Sequence, residues 1–360
     1  MMAVHVLPAV DSDGSASTPY LVASGRASAI FAVLAGVGLA LATGGPTGPP
    51  PRTRAAARVA VAVRALAIGA LGLAVGYADT GVAVILAYYG VLFLLAVPLL
   101  GLEPRMLATL ALGAAVTVPV PVPVLSLLVR PALPRPGLDN PTFTSVADDP
   151  VAWLAELTLT GYYPALAWTA YLCAGLAAGR LALGSVRDPA TLLAGGVTAA
   201  LLAAGTSALL LGPLGGHEAI LTATPRLDPA ELDTALQTSL YGNPPATTWW
   251  WLAIDAPHAS TPLDLVHTTG SALAVLGAAL LAGRLVPRLL APLATAGSMT
   301  LTLYTVHVLL PATDVLPDDP EVSYVVQVVA ALAVAMWWRQ RHADPWRRRS
   351  RRWHVARAVR

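Results

Sequence analysis

Apolar runs of about twenty residues recur along this chain, each near the length that crosses a hydrocarbon core, and the segments between them alternate in charge sign. In lipid such runs are confined to helices, because every backbone polar group must be satisfied internally. After the first run, arginines gather in every second connection: Arg52, Arg54 and Arg58; Arg105; Arg180 and Arg187; Arg284 and Arg288; then the tail from Arg339 to Arg360. The connections between them carry acids: Asp11 and Asp13; Asp79; Asp139, Asp148 and Asp149; Glu218 through Asp264; Asp314 through Glu321. Positive loops stay cytoplasmic. The pattern therefore predicts a multi-pass protein of the plasma membrane with the arginine loops and C-terminus inside and the acidic loops outside.

Composition agrees. Hydrophobic residues make up 56% and charged residues 12% of the chain, and mean hydropathy is +0.65. These values exclude an ordinary soluble globular domain. The basic tail, with Arg347, Arg348, Arg349, Arg351 and Arg352, reads as a juxtamembrane cluster at an anionic leaflet. Membrane lipid, not nucleic acid, is its expected partner. The single Cys173 rules out a disulfide framework or thiolate metal site within one chain.

The expected fold is all-α: a polytopic transmembrane helix bundle with about nine full spans and a truncated first span. The spans are residues 24–43, 55–77, 80–100, 105–125, 161–183, 190–212, 266–286, 289–310 and 322–338. They make one membrane domain over residues 1–340, followed by a basic cytoplasmic tail over 341–360. The stretch from Gly212 to Val266 is expected outside, with Trp249, Trp250 and Trp251 at the headgroup level. Pro119, Pro121 and Pro123 remove three N–H donors, so that helix either stops early or lines a cavity. Residues 1–10 are apolar yet too short to span, which leads to the expectation of a first span cut short, with a re-entrant or interfacial N-terminus as the alternative.

Orientation places scattered polar residues at one depth. His5 ends the truncated span, and Arg26 opens the next one. Tyr162 and Tyr163 open the fifth, and Asp264 and His267 open the seventh. Tyr304 and His307 lie a turn apart toward the outer end of the eighth. Ionisable groups at membrane depth are costly and usually functional, so these residues predict one shared outer cavity. For single residues, snorkelling by Arg26 and helix capping by His267 are the plain alternatives. No Cys/His spacing of metal type is present, and no metal is expected; a three-histidine site from His5, His267 and His307 is a remote option. On the inner side Arg64 lies deep, one and a half turns beyond Arg58. It either snorkels to inner-leaflet phosphates or contacts a phosphorylated cytoplasmic cofactor.

Several of these segments carry a resemblance. The run from Ser24-Gly25-Arg26-Ala27-Ser28 to Gly36 resembles the second-span motif of bacterial membrane proteins related to heparan-alpha-glucosaminide N-acetyltransferase. Gly161-Tyr162-Tyr163-Pro164 through Gly179-Arg180-Leu181 looks like their middle span, and His267-Thr268-Thr269-Gly270 like a later one. Gly297-Ser298-Met299-Thr300-Leu301-Thr302-Leu303-Tyr304 resembles their C-terminal signature. The likeness covers nearly the whole chain. It implies an acyltransferase that takes an acetyl or acyl group from cytoplasmic acetyl-CoA or another acyl-CoA. The acceptor would be an extracytoplasmic sugar or lipid-linked group of the cell envelope. It implies His5 or His267 as base, with Arg26 stabilising the oxyanion. Tyr162, Tyr163, Asp264, Tyr304 and His307 would line the acceptor site, and Arg64 and Arg58 would meet the cofactor phosphates. The acidic-Arg-Gly motif that opens the family's first span is absent, and no histidine lies between Val6 and Gly25, where the animal enzyme carries its catalytic one. A transporter or a non-catalytic partner of envelope enzymes remains the alternative, and a homo-oligomer stays open.

Overall fold

The computed structural model describes residues 1–12, 14–78, 80–129, 140–238, 244–313 and 315–342. The loop acids Asp13, Asp79, Asp139 and Asp314 and the tail arginines beyond His342 lie outside the described residues. Among the described residues the regular elements are helices, joined only by one antiparallel bridge between Val10 and Ala16. In chain order the first helices are α1 (Met2–Val6), α2 (Thr18–Ala23), α3 (Arg26–Ala42), α4 (Arg54–Val75), α5 (Leu86–Ala96) and α6 (Pro104–Thr117). Next come α7 (Val122–Val129), α8 (Phe143–Asp148), α9 (Pro150–Ala155), α10 (Ala165–Gly179) and α11 (Arg187–Leu211). Then follow α12 (Gly216–Ala223), α13 (Pro229–Gln237), α14 (Pro262–Leu285), α15 (Pro287–Gly297), α16 (Thr300–Leu309) and α17 (Pro320–His342). Proline stands in the first turn of α6, α9, α13, α14 and α15, where its missing N–H costs nothing.

Five helical stretches are long and apolar enough to cross a membrane: 18–42, Arg54–Val75, Arg187–Leu211, Pro262–Leu285 and 320–341. A sixth forms if α15 and α16, bent by 65° at Ser298–Met299, count together. By length and composition, then, five or six helices reach spanning length where nine full spans were expected. Three of the expected spans are shorter apolar helices, over 86–101, 104–117 and 165–179. The reason is local. Gly81, at φ 64°, belongs to an irregular stretch that ends only at Leu86. The Pro119–Pro121 segment stops α6 at Thr117 before α7 restarts at Val122. Gly161 to Pro164 is irregular, so α10 begins only at Ala165.

Helix α10 is the hub, packed by α3, α5, α6 and α14, while α11 lies along α14 and α4 along α5. Two of these contacts depend on glycine. A Cβ on Gly36 of α3 would stand 2.5 Å from the Leu172 carbonyl oxygen of α10, and one on Gly196 of α11 would stand 2.5 Å from that of Gly270 on α14. The backbones therefore touch. Such small-residue faces hold helices together where lipid removes the hydrophobic drive.

The arginine connections converge at one end of the bundle. Arg180, only 5% exposed, donates to the carbonyls of Ala40 (3.1 Å), Gly45 (2.7 Å) and Leu100 (2.9 Å) and to Thr43 Oγ1 (3.2 Å). It thus ties together the chain segments where α3 and the turn after α5 end. Arg284 donates to the carbonyls of Leu183, at 3.0 Å, and Ser185. At the opposite end, residues 216–238 and 244–261 form a cap with its own small core of Ile220, Leu232, Trp251, Ile254, Ala256 and Ala259. The tryptophans expected at headgroup level divide. Trp249 is 63% exposed, Trp250 packs partly against the cap core, and Trp251 is its fully buried centre, its indole N–H donating to Thr247 Oγ1.

Candidate functional site

Two elements of the cap end bring the central groups together: the junction of α2 with α3, and the segment that leads into α14. At the first, Gly25 has φ 67°, a conformation that L side chains rarely adopt. A Cβ there would also come within 3.1 Å of Pro257 Cα. This turn starts α3 at Arg26 and presses the Gly25 backbone against the cap, where Gly25 N–H donates to His258 Nε2 at 3.3 Å. Ser24 Oγ, from the same junction, donates to the Thr238 carbonyl at 2.9 Å.

At the second, Thr261 caps α14 by accepting the Asp264 N–H on Oγ1 at 3.2 Å. Asp264 Oδ2 accepts the Ser260 N–H at 2.8 Å. His258 and Ser260 both have positive φ, 60° and 50°. These tight turns aim Asp255 and His258 back at the helix. One turn into α14, His267 Nδ1 meets Asp255 Oδ2 at 3.1 Å, and its Nε2 lies 3.4 Å from a guanidinium nitrogen of Arg26. Arg26 also donates to the Leu21 carbonyl at 2.8 Å. The partners set the tautomer: the proton sits on Nδ1, facing the carboxylate, and Nε2 keeps its lone pair toward the guanidinium. The His267 side chain is 12% exposed and that of Asp255 29%, so the pair is sheltered but reachable. Asp264 is buried, with Arg26 and Asp255 both in electrostatic reach, and its Oδ1 has no hydrogen-bond partner among the described residues.

A second polar locus adjoins the first. His5 Nδ1 and His307 Nε2 are 3.0 Å apart with nearly coplanar rings, and His307 Nδ1 donates to Gln327 Oε1 at 2.7 Å. His307 donates through Nδ1, so in the neutral ring its Nε2 accepts from His5. Gln327 in turn donates to Ser323 Oγ. His258 links the two loci, being near enough to His5 to interact electrostatically and bonded to Gly25 beside Arg26. Burial pushes the His258 imidazole down to about 4, so it is neutral at pH 7.

The other expected site residues divide. Tyr163 is buried edge-on to His258, 5.8 Å between ring centroids, with its hydroxyl on the Ala83 carbonyl, and Tyr162 packs beside it. Tyr304 is buried, but its hydroxyl accepts the Ile85 N–H and its ring lies on Phe31. Arg58 and Arg64 are exposed on the outward face of α4, alongside Val63 and Leu66. Asp255, His258 and Gln327 were not singled out from sequence. Only Gln327 had a signal there, as an amide inside an apolar run. No group of three His, Cys, Asp or Glu among the described residues is arranged to hold a metal ion. No family model, curated protein or solved structure matches this chain.

Proposed function

We propose that the cap end of this bundle is an acyl-transfer site in which His267 is the general base. The observation that carries the reading is the chain Asp255–His267–Arg26. Asp255 orients the imidazole and stabilises its protonated form, and Nε2 accepts the proton as the Arg26 guanidinium, 3.4 Å away, turns from it to the developing oxyanion. His267 is preferred over His5 because a carboxylate holds it, whereas His5 is held by another histidine.

The reaction runs as follows. Nε2 of His267 takes the proton of an acceptor hydroxyl or amine as that atom attacks the acyl carbonyl carbon. The tetrahedral oxyanion forms beside the Arg26 guanidinium, whose fixed charge favours it. The carbon–sulfur bond then breaks, and the leaving CoA thiolate recovers the proton from His267. Acyl-CoA and acceptor become acylated acceptor and free CoA. Asp264, buried and with no hydrogen-bond partner on Oδ1 among the described residues, would form the polar wall of the acceptor side.

The acyl-CoA donor and the extracytoplasmic sugar or lipid-linked acceptor come from the family resemblance. The orientation comes from the arginine loops: arginine end cytoplasmic, cap outside, plasma membrane. Arg58 and Arg64, exposed on α4, would meet the CoA phosphates from the cytoplasmic side.

Proteoliposomes supplied with labelled acetyl-CoA and a fraction of envelope glycans and glycolipids test this reading. Free CoA should form in step with labelled acceptor, and His267→Gln should abolish both while leaving the detergent-solubilised protein monodisperse. Acetyl-CoA that is neither bound nor consumed by the wild type would overturn the proposal.

A further inference from the structure

A groove of about 420 Å3 runs between α6, α10, α11 and α14; His267 is not in its lining, but its chain neighbour Val266 is. Its rim includes the exposed Ala108 and Leu112 of α6 and the half-buried Leu192 of α11, and its back wall includes Ala174 of α10. The lining is almost wholly apolar and small-chained, with Arg105 as its one charged residue. Arg105 is exposed, and its guanidinium forms no ion pair with another described residue. Arg180 and Arg284, at the same end, instead direct donors to backbone carbonyls.

The dimensions restrict what can lie there. From Arg105 to Ala115, both in the lining, α6 rises ~15 Å, about half of a ~30 Å hydrocarbon core. The groove therefore has the depth of one leaflet, with its charge at the leaflet's polar edge. A pantetheine arm would bring two amides into it, and the lining offers one side-chain hydroxyl to meet them, that of Thr269. A hydrocarbon chain needs none. Arg105 also sits in the first turn of α6, where the helix dipole and open N–H groups favour an anion, against the opposing carboxylate of the exposed Glu103.

We propose that this groove seats one acyl chain of an anionic phospholipid from the leaflet at the arginine end, with the lipid phosphate on Arg105. The proposal concerns lipid retention and stands apart from the acyl-transfer reading, so each can fail alone.

The test uses the full chain in proteoliposomes containing phosphatidylglycerol with a photoreactive diazirine near the end of one chain. After irradiation, labels are mapped by peptide sequencing. Labelling at Ala111 and Leu273 in the groove should exceed labelling at Val63 and Leu66, which bulk lipid also reaches. Arg105→Gln should lower the groove labels about fivefold, the equivalent of the ~1 kcal/mol that one arginine contributes near an anionic surface. A phosphatidylcholine probe should give a similar drop. Ala108→Trp, at an exposed rim position, should remove the groove labels by filling the space while the detergent-solubilised protein stays monodisperse. Groove and α4 labelled alike, or groove labels indifferent to both substitutions, would overturn the proposal. Groove labels competed away by acetyl-CoA would overturn it too, and would assign the groove to the thioester donor.

Discussion

Replacing Arg180 should destabilise this protein more than replacing any arginine on its surface. The side chain is 5% exposed and reaches three carbonyls at 2.7–3.1 Å, those of Ala40, Gly45 and Leu100, besides Thr43 Oγ1. A hydrogen bond to a charged group contributes roughly 1.5–3 kcal/mol, so three give an upper bound of roughly 4.5–9 kcal/mol. Desolvation of the guanidinium in the native state offsets part of this, and water reaches some of the released carbonyls, because this is an end of the bundle. A net loss of about 3–5 kcal/mol follows for Arg180→Ala. At ~2–4 °C per kcal/mol, thermal unfolding in mild detergent should begin at least about 6 °C lower. Arg180→Lys should recover only part of the loss, since an ammonium cannot fork to carbonyls on two elements. Arg64→Ala, at an exposed position, is the control and should shift the transition little. An Arg180→Ala variant that unfolds within about 2 °C of wild type would refute the clamp, because that shift corresponds to no more than ~1 kcal/mol.

Gly25→Ala should impair the site more than the fold: the positive φ costs roughly 1–2 kcal/mol, and the 3.1 Å approach to Pro257 must open, which moves the cap away from Arg26. Hydrogen exchange should then rise in residues 254–261 while α10 stays protected; unchanged exchange there would contradict it. His258 carries a pH dependence. Its folded value of about 4 lies below the unfolded ~6.5, so between those values the unfolded chain binds more protons and stability rises with pH. The stability from keeping this ring neutral is therefore present above pH ~6.5 and lost as pH falls toward 4. His258→Gln should flatten that part of the melting-temperature profile, and an unaltered slope would show that other groups carry it.

The helices were legible in the sequence because apolar runs and proline starts are local signals. Their lengths were less so: the residues around Gly81 and Gly161 read as apolar span, yet they shorten α5 and α10, whereas the early stop of α6 is one of the two outcomes that Pro119, Pro121 and Pro123 announce. Arg26 and His267 could be found from span ends, as could His5 and His307, which the structure pairs. Asp255 and His258 could not. Their placement depends on the cap burying Trp251, Ile254, Ala256 and Ala259 and on two positive-φ residues at positions with no glycine. Arg180 illustrates the limit from the other side. In the sequence it orients the chain and ends a run that carries the resemblance, whereas the fold buries it as a helix-end clamp.

The central claim is that Asp255 and His267 act as one catalytic unit, and its most direct test is the turnover number of Asp255→Asn with saturating acetyl-CoA and envelope acceptor. Asparagine keeps the size of the side chain but removes the charge that stabilises the imidazolium. The turnover number should fall ~10²–10⁴-fold, the range that general acid–base catalysis supplies, with KM for acetyl-CoA little changed. A variant that turns over at the wild-type rate, or one that loses only donor affinity, would contradict the account.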